Sequence, residues 1–203
     1  MNLPNKITTG RFALALLLFA YLVHTDTCSG EDPWAPAITG LVFILAVATD
    51  ALDGHLARKY NMQTDFGRIA DPVVDKVIVS GLLIFMSSVA WSREFLPVWM
   101  TVLIISREFL VSGLRGFIEA RGVAFPARWD GKLKMILQCC AIPAVFLYRT
   151  LDLSLAGEPA WALDGSKWIA LGMLWGMFLM TVSSGARYVM AAARVLRQAE
   201  DPA

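Results

Sequence analysis

The chain has 203 residues, of which 57% are hydrophobic and 17% charged, with a formal net charge of +1. That is less charge than a soluble globular domain usually carries, and the net charge by itself says nothing about nucleic acid; the placement of the charges matters more. The cysteines are three: Cys28 alone, and Cys139 next to Cys140 in an apolar run, a spacing that offers neither a disulfide framework nor a zinc-ligand set.

In chain order, six apolar stretches approach the roughly 20 residues that a membrane-crossing helix needs. They cover residues 7–23, 37–53, 73–91, 95–113, 133–151 and 168–193. Together they predict an all-α integral membrane protein, with six transmembrane helices in a single domain over residues 1–203. A tail from about residue 196 is expected to be disordered. Lys6 and Arg11 precede "FALALLLFAYLV" in the first stretch, as in a secretory signal, but no small-residue cleavage motif succeeds it, so an uncleaved span is predicted. In a six-span arrangement all of the 18 lysines and arginines except Arg93, Arg149 and Lys167 fall on one side. Basic residues accumulate in cytoplasmic loops, so that side and both termini are predicted to be cytoplasmic. Trp34, Trp91, Trp99, Trp161 and Trp168 fall at the opposite boundaries, as an interfacial aromatic belt would. Gly172 and Gly176 have the spacing of a helix-packing face, and ordinary packing is the expected use.

The informative stretch is "DALDGHLARKYNMQTDFGRIADPVVD", residues 50–75. Asp50 and Asp53 end the second apolar run at i,i+3, and Asp71 and Asp75 open the third at i,i+4. Each pair shares one helix face. Pro72 suits a first helical turn, where its missing N–H costs nothing. A loop from about residue 59 to 70 then brings the two helix ends together. Four carboxylates at one membrane edge cannot all stay ionised without a counter-charge. Divalent metal is the natural one, and all-oxygen ligands favour Mg²⁺ or Mn²⁺ over zinc. Two ions would balance four aspartates and could clamp a diphosphate. Gly54, Ala57 and Gly67 leave room for close approach, and Arg58 offers a planar fork to a phosphate.

This stretch resembles the signature of the CDP-alcohol phosphotransferases, D-x2-D-G-x2-A-R-x8-G-x3-D-x3-D, at every fixed position: Asp50, Asp53, Gly54, Ala57, Arg58, Gly67, Asp71 and Asp75. The resemblance implies a six-helix fold, usually homodimeric, with a polar cavity open to the cytoplasm. It implies that Asp50, Asp53, Asp71 and Asp75 hold two metal ions and that Asp75 is also the general base. It further implies that Gly54, Arg58 and Thr64, together with Asn5 and Thr8 near the N-terminus, contact the CDP part of the donor.

Three further stretches, "NLPNKITTGRF", "ISREFLVSGLRGFIEARG" and "DGKLKMILQ", resemble the branch of that family that joins CDP-diacylglycerol to sn-glycerol 3-phosphate. "VAFPARWDGK" departs from that pattern, with Phe125 and Trp129 where small polar residues are common. A phosphorylated acceptor carries close to two negative charges and needs cations beside the metal site. Arg107 and Arg115 lie two turns apart on one face of the fourth span, and Lys132 and Lys134 begin the fifth; these four are the candidates for the acceptor phosphate. Arg107 lies deep in an apolar stretch, where an arginine is costly unless it has a task. The structural uses open to them are an Arg107–Glu108 ion pair, and interfacial anchoring for Arg115, Lys132 and Lys134.

The predicted activity is thus metal-dependent phosphatidyl transfer at a bacterial inner membrane, with membrane lipids around the protein and no nucleic-acid partner. Inositol phosphate, inositol and serine are alternative acceptors. A membrane prenyltransferase would also use aspartates and Mg²⁺, but it leaves Gly54, Arg58 and Gly67 without a role. A divalent-cation transporter would place its carboxylates near mid-membrane rather than at one interface.

Overall fold

The apolar runs become helices, and no strand occurs among the described residues of this computed structural model. It describes residues 3–24, 32–59, 65–121, 129–155, 159 and 161–200, with side chains described from 9–24, 32–49, 73–121, 129, 131, 133–155, 159, 161 and 163–195. Six long helices and one short one follow in order: α1 (Leu3–His24), α2 (Trp34–Lys59), α3 (Asp65–Ser88), α4 (Ala90–Arg93), α5 (Val98–Ala120), α6 (Trp129–Ser154) and α7 (Trp161–Glu200).

Several boundaries differ from the apolar runs. Helix α2 continues to Lys59 and α3 begins at Asp65, so the predicted connection of residues 59–70 shrinks to 60–64. Pro72 therefore lies inside α3 and not in its first turn. The helix outruns the hydrophobic stretch because Phe66, Ile69 and Val73 already recur at helical spacing among polar neighbours. The predicted span 73–91 ends at Ser88, where Val89 is extended (φ −85°, ψ 138°) and the one-turn helix α4 follows. Two local bonds hold this break: Arg93 Nη2 donates to the Ser88 carbonyl at 2.9 Å, and buried Ser92 donates to the Met86 carbonyl. Pro97, extended at φ −65° and ψ 150°, then starts α5. Helix α7 runs on to Glu200, into the tail expected to be disordered.

The main helix contacts form a closed cycle, α1–α2–α6–α7–α5–α3 and back to α1. Its interior is apolar: Phe43, Leu82, Leu83, Met86, Met100, Ile104, Phe146 and Met177 are fully buried. The outward faces are apolar too. Leu17, Ile44, Phe109, Ile136, Leu147 and Leu179 are all exposed, which a protein surrounded by water avoids on this scale. Among the described residues, Leu133–Ser154 and Leu163–Val195 are long and apolar enough to cross a membrane. These helices thus bury one apolar face and keep other apolar residues on the outside.

Two glycines allow close helix approach. A Cβ on Gly81 of α3 would lie 2.2 Å from Phe19 Cζ of α1, and one on Gly40 of α2 would lie 3.3 Å from Phe146 Cβ of α6. By contrast, a Cβ on Gly172 or Gly176 would meet nothing within 4 Å. Among the described residues nothing packs closely on that expected face.

The ends of the bundle differ chemically. At one end Lys167 Nζ bonds Glu94 at 2.9 Å and Arg149 bonds Asp152 at 2.6 Å, with Arg149 also stacked over Trp91. Trp34, Trp161 and Trp168 lie exposed at the helix starts on that side. All three basic residues assigned to the minority side, Arg93, Arg149 and Lys167, belong to this end. The polar cavity lies toward the other.

Candidate active site

The cavity is built by repetition along three helices. Asp75, Lys76, Val79 and Ser80 come from α3; Arg107, Glu108, Val111, Ser112 and Arg115 from α5; Lys134, Gln138 and Cys139 from α6. Within each helix these positions recur at three, four or eight residues, so each presents one face to the same space. Tyr188 of α7 closes the side, and the cavity holds about 290 Å³.

Its charges are tied to one another. Arg107 Nη1 donates to Glu108 Oε1 at 3.2 Å, and Lys134 Nζ donates to the same oxygen. Arg107 Nη2 donates to Ser184 Oγ at 2.8 Å, and Ser184 in turn donates to the Thr181 carbonyl at 3.1 Å. Arg115 donates to the Tyr188 hydroxyl, with its guanidinium 5.5 Å from that ring's centre. The fit against α7 depends on Gly185, where a Cβ would come within 2.7 Å of Arg107 Cγ. Asp75 feels Arg11, Lys134 and Lys76 as favourable charges and Glu108 as an opposing one. Among the described residues, four cations, Lys76, Arg107, Arg115 and Lys134, thus line the cavity against two carboxylates, Asp75 and Glu108. An excess of buried positive charge is expensive unless an anion completes it.

Of the predicted site residues, the structure brings together Asp75, Arg107, Arg115 and Lys134. The Arg107–Glu108 pair also forms, but its other cation and its place in the cavity make it more than a helix staple. The side chains of Asp50, Asp53, Gly54, Ala57, Arg58, Gly67, Asp71, Asn5, Thr8 and Lys132 lie outside the described residues, as does the whole of Thr64. The backbones of Asp50 and Asp53 belong to α2 and that of Asp71 to α3, which preserves their i,i+3 and i,i+4 relations. A divalent ion suits the donor that is described: Asp75 is a half-buried carboxylate on the cavity wall, a hard oxygen ligand with no thiolate–imidazole set beside it. The sequence reading missed Glu108 as a shared acceptor, and Ser184, Gly185, Tyr188 and Gln138 altogether. The only signal for Ser184, Gly185 and Tyr188 was a small and polar segment, "SSGARY", inside an apolar helix.

The chain is similar to known proteins over most of its length. The family described as CDP-alcohol phosphatidyltransferase matches residues 1–182. A protein of Bacillus subtilis (strain 168) named CDP-diacylglycerol--glycerol-3-phosphate 3-phosphatidyltransferase is 35% identical over 193 residues, covering 92% of this chain and 93% of its own. Relatives of the same name from Rickettsia bellii (33% identical, 94% of each chain) and Cereibacter sphaeroides (31% identical, 91% of this chain and 76% of its own) are similar over comparable lengths. The match runs from α1 into α7 and takes in α3, α5 and α6, which supply most of the cavity wall, and on that extent the chain belongs to the CDP-alcohol phosphatidyltransferase family.

Proposed function

We propose that the protein transfers a phosphatidyl group from CDP-diacylglycerol to sn-glycerol 3-phosphate, releasing CMP and forming phosphatidylglycerophosphate for phospholipid biosynthesis. The observation that carries this reading is one cavity that joins Asp75 to Arg107, Arg115 and Lys134. A general base and a cluster of cations in one space suit an acceptor with a hydroxyl at one end and a phosphate at the other. Neutral inositol and zwitterionic serine lack the phosphate that such a cluster of cations suits.

In this reaction the acceptor's primary hydroxyl oxygen bonds to the lipid-bearing phosphorus and its proton passes to the Asp75 carboxylate. The phosphorus–oxygen bond to the cytidine monophosphate breaks, and CMP takes the electron pair. Arg107, Arg115 and Lys134, with Lys132 beside them, hold the acceptor phosphate so that attack becomes effectively unimolecular. Gly54, Arg58, Thr64, Asn5 and Thr8 contact the CDP portion. Asp50, Asp53, Asp71 and Asp75 would hold two divalent ions, Mg²⁺ or Mn²⁺, which stabilise charge on the phosphoryl oxygens when bound. The apolar outer surface supports a single domain of six membrane-crossing helices. The predominance of basic residues at the cavity end supports placing that end and both termini on the cytoplasmic side of a bacterial inner membrane. The chain is further inferred to act as a homodimer, which crosslinking in membranes would test: monomer alone would overturn it.

The deciding experiment incubates purified protein, Mg²⁺ and CDP-diacylglycerol with sn-glycerol 3-phosphate, inositol phosphate, inositol or serine and follows CMP. Rapid release with sn-glycerol 3-phosphate is the expected result. Preference for an unphosphorylated alcohol would refute the acceptor assignment.

A further inference from the structure

Most of the charged groups around the cavity are already committed. Arg107 bonds Glu108 and Ser184, Lys134 bonds Glu108, and Arg115 bonds Tyr188. Arg107 and Arg115 each leave a buried Nε unpaired but bond through their terminal nitrogens, whereas the Gln138 side chain makes no hydrogen bond among the described residues. It lies one turn beyond Lys134 on α6, lines the same cavity and is 4% exposed. Its buried Nε2 has no hydrogen-bond partner among the described residues. Buried polar groups are almost always bonded, and one that is not calls for a ligand, a water or a functional reason. The amide offers two donors and an acceptor. A neutral amide beside three cations is a poor competitor for phosphate, but it suits a hydroxyl, which both donates and accepts.

The acceptor has one such group to spare. In sn-glycerol 3-phosphate the primary hydroxyl goes to Asp75 and the phosphate to the cations, which leaves the secondary hydroxyl between them. One helical turn separates Lys134 from Gln138, about 5–6 Å between Cβ atoms, a reach comparable to the span from a phosphate to the neighbouring hydroxyl. We propose that Gln138 is a specificity-determining residue that hydrogen-bonds the acceptor's secondary hydroxyl. This rests on the phosphatidyl-transfer reading above.

The test compares sn-glycerol 3-phosphate with 3-hydroxypropyl phosphate, which keeps the primary hydroxyl and the phosphate and lacks the secondary hydroxyl. Purified full-length protein is supplied with Mg²⁺ and CDP-diacylglycerol, and kcat/KM is measured for each. Wild type should favour sn-glycerol 3-phosphate by roughly 10- to 100-fold, the range for a buried polar group left unpaired. Gln138→Leu should lose that preference, with kcat/KM falling for sn-glycerol 3-phosphate and holding for 3-hydroxypropyl phosphate. Should Gln138→Leu not bind CDP-diacylglycerol, Gln138→Met, closer in shape, replaces it under the same criterion. An equal loss with both acceptors, or no loss with either, overturns the proposal and leaves the transfer reaction standing. If wild type ignores sn-glycerol 3-phosphate and uses an unphosphorylated alcohol, the acceptor assignment fails first, on wild type alone, and takes this proposal with it, while phosphatidyl transfer stands.

Discussion

Gly185→Ala should damage acceptor binding without touching the donor. The new Cβ would lie 2.7 Å from Arg107 Cγ, where contact becomes ordinary only from 3.4 Å. Arg107 or α7 must therefore yield by about 0.7 Å, the difference between those two distances. Cγ is only the second carbon of the side chain, so it cannot swing aside as a terminal atom could. Moving it rotates the whole guanidinium and strains its bonds to Ser184 at 2.8 Å and Glu108 at 3.2 Å. Misplacing one charge-assisted hydrogen bond to the acceptor phosphate costs about 1.5–3 kcal/mol, or roughly a 10- to 150-fold rise in KM for sn-glycerol 3-phosphate. Overpacking should also cost about 1–3 kcal/mol of stability. The assay is CMP release at saturating CDP-diacylglycerol with varied acceptor. Gly176→Ala on the same helix is the control, since its Cβ meets nothing within 4 Å. A KM for Gly185→Ala within twofold of wild type, alongside a large rise for Arg107→Gln, would show that α7 absorbs the methyl and that this glycine does not position Arg107.

Glu108→Gln leaves Arg107 and Lys134 without their shared negative charge; the thermal midpoint in detergent should fall, and glycerol 3-phosphate should restore part of it, so a loss without restoration counts against the phosphate site. Gly81→Ala should lower the midpoint through the clash with Phe19, and adding Phe19→Leu should recover much of the loss; no recovery would mean the strain lies elsewhere. Asp50→Asn, Asp53→Asn or Asp71→Asn should each abolish turnover, and EDTA should abolish it in wild type until Mg²⁺ or Mn²⁺ is returned; full activity in chelator would end the metal hypothesis. An impermeant thiol reagent applied outside intact cells should label Cys28 and not a cysteine placed at Gln63, and the reverse pattern would overturn the orientation.

Arg107 and Arg115 were legible in the sequence because an arginine inside an apolar helix needs a reason, and a spacing of eight residues puts both on one face. Asp75 was legible from its spacing to the other aspartates. What was not legible came from contacts between helices. Periodicity says which face of α7 is apolar, but nothing in it says that Ser184 and Gly185 lie against Arg107, or that Tyr188 meets Arg115. Helix ends were misjudged where hydrophobicity and helicity part company: Asp65 starts α3 ahead of its apolar run, and Val89 breaks it before that run ends. Gln138 gave no signal, since a lone glutamine in an apolar helix has no periodic partner.

The single oxygen of Glu108 that both Arg107 and Lys134 bond gives the cavity a resting occupant of fixed valence. An incoming anion competes with that carboxylate for the two cations, whose remaining N–H donors it can also use. A phosphomonoester, with nearly two charges, gains by the exchange, whereas a monovalent anion merely replaces like with like. The cavity therefore sorts its visitors by valence before it reads their shape. Sulfate should compete with the acceptor at concentrations where chloride and acetate do not, and equal inhibition by all three would show that the carboxylate sets no such threshold.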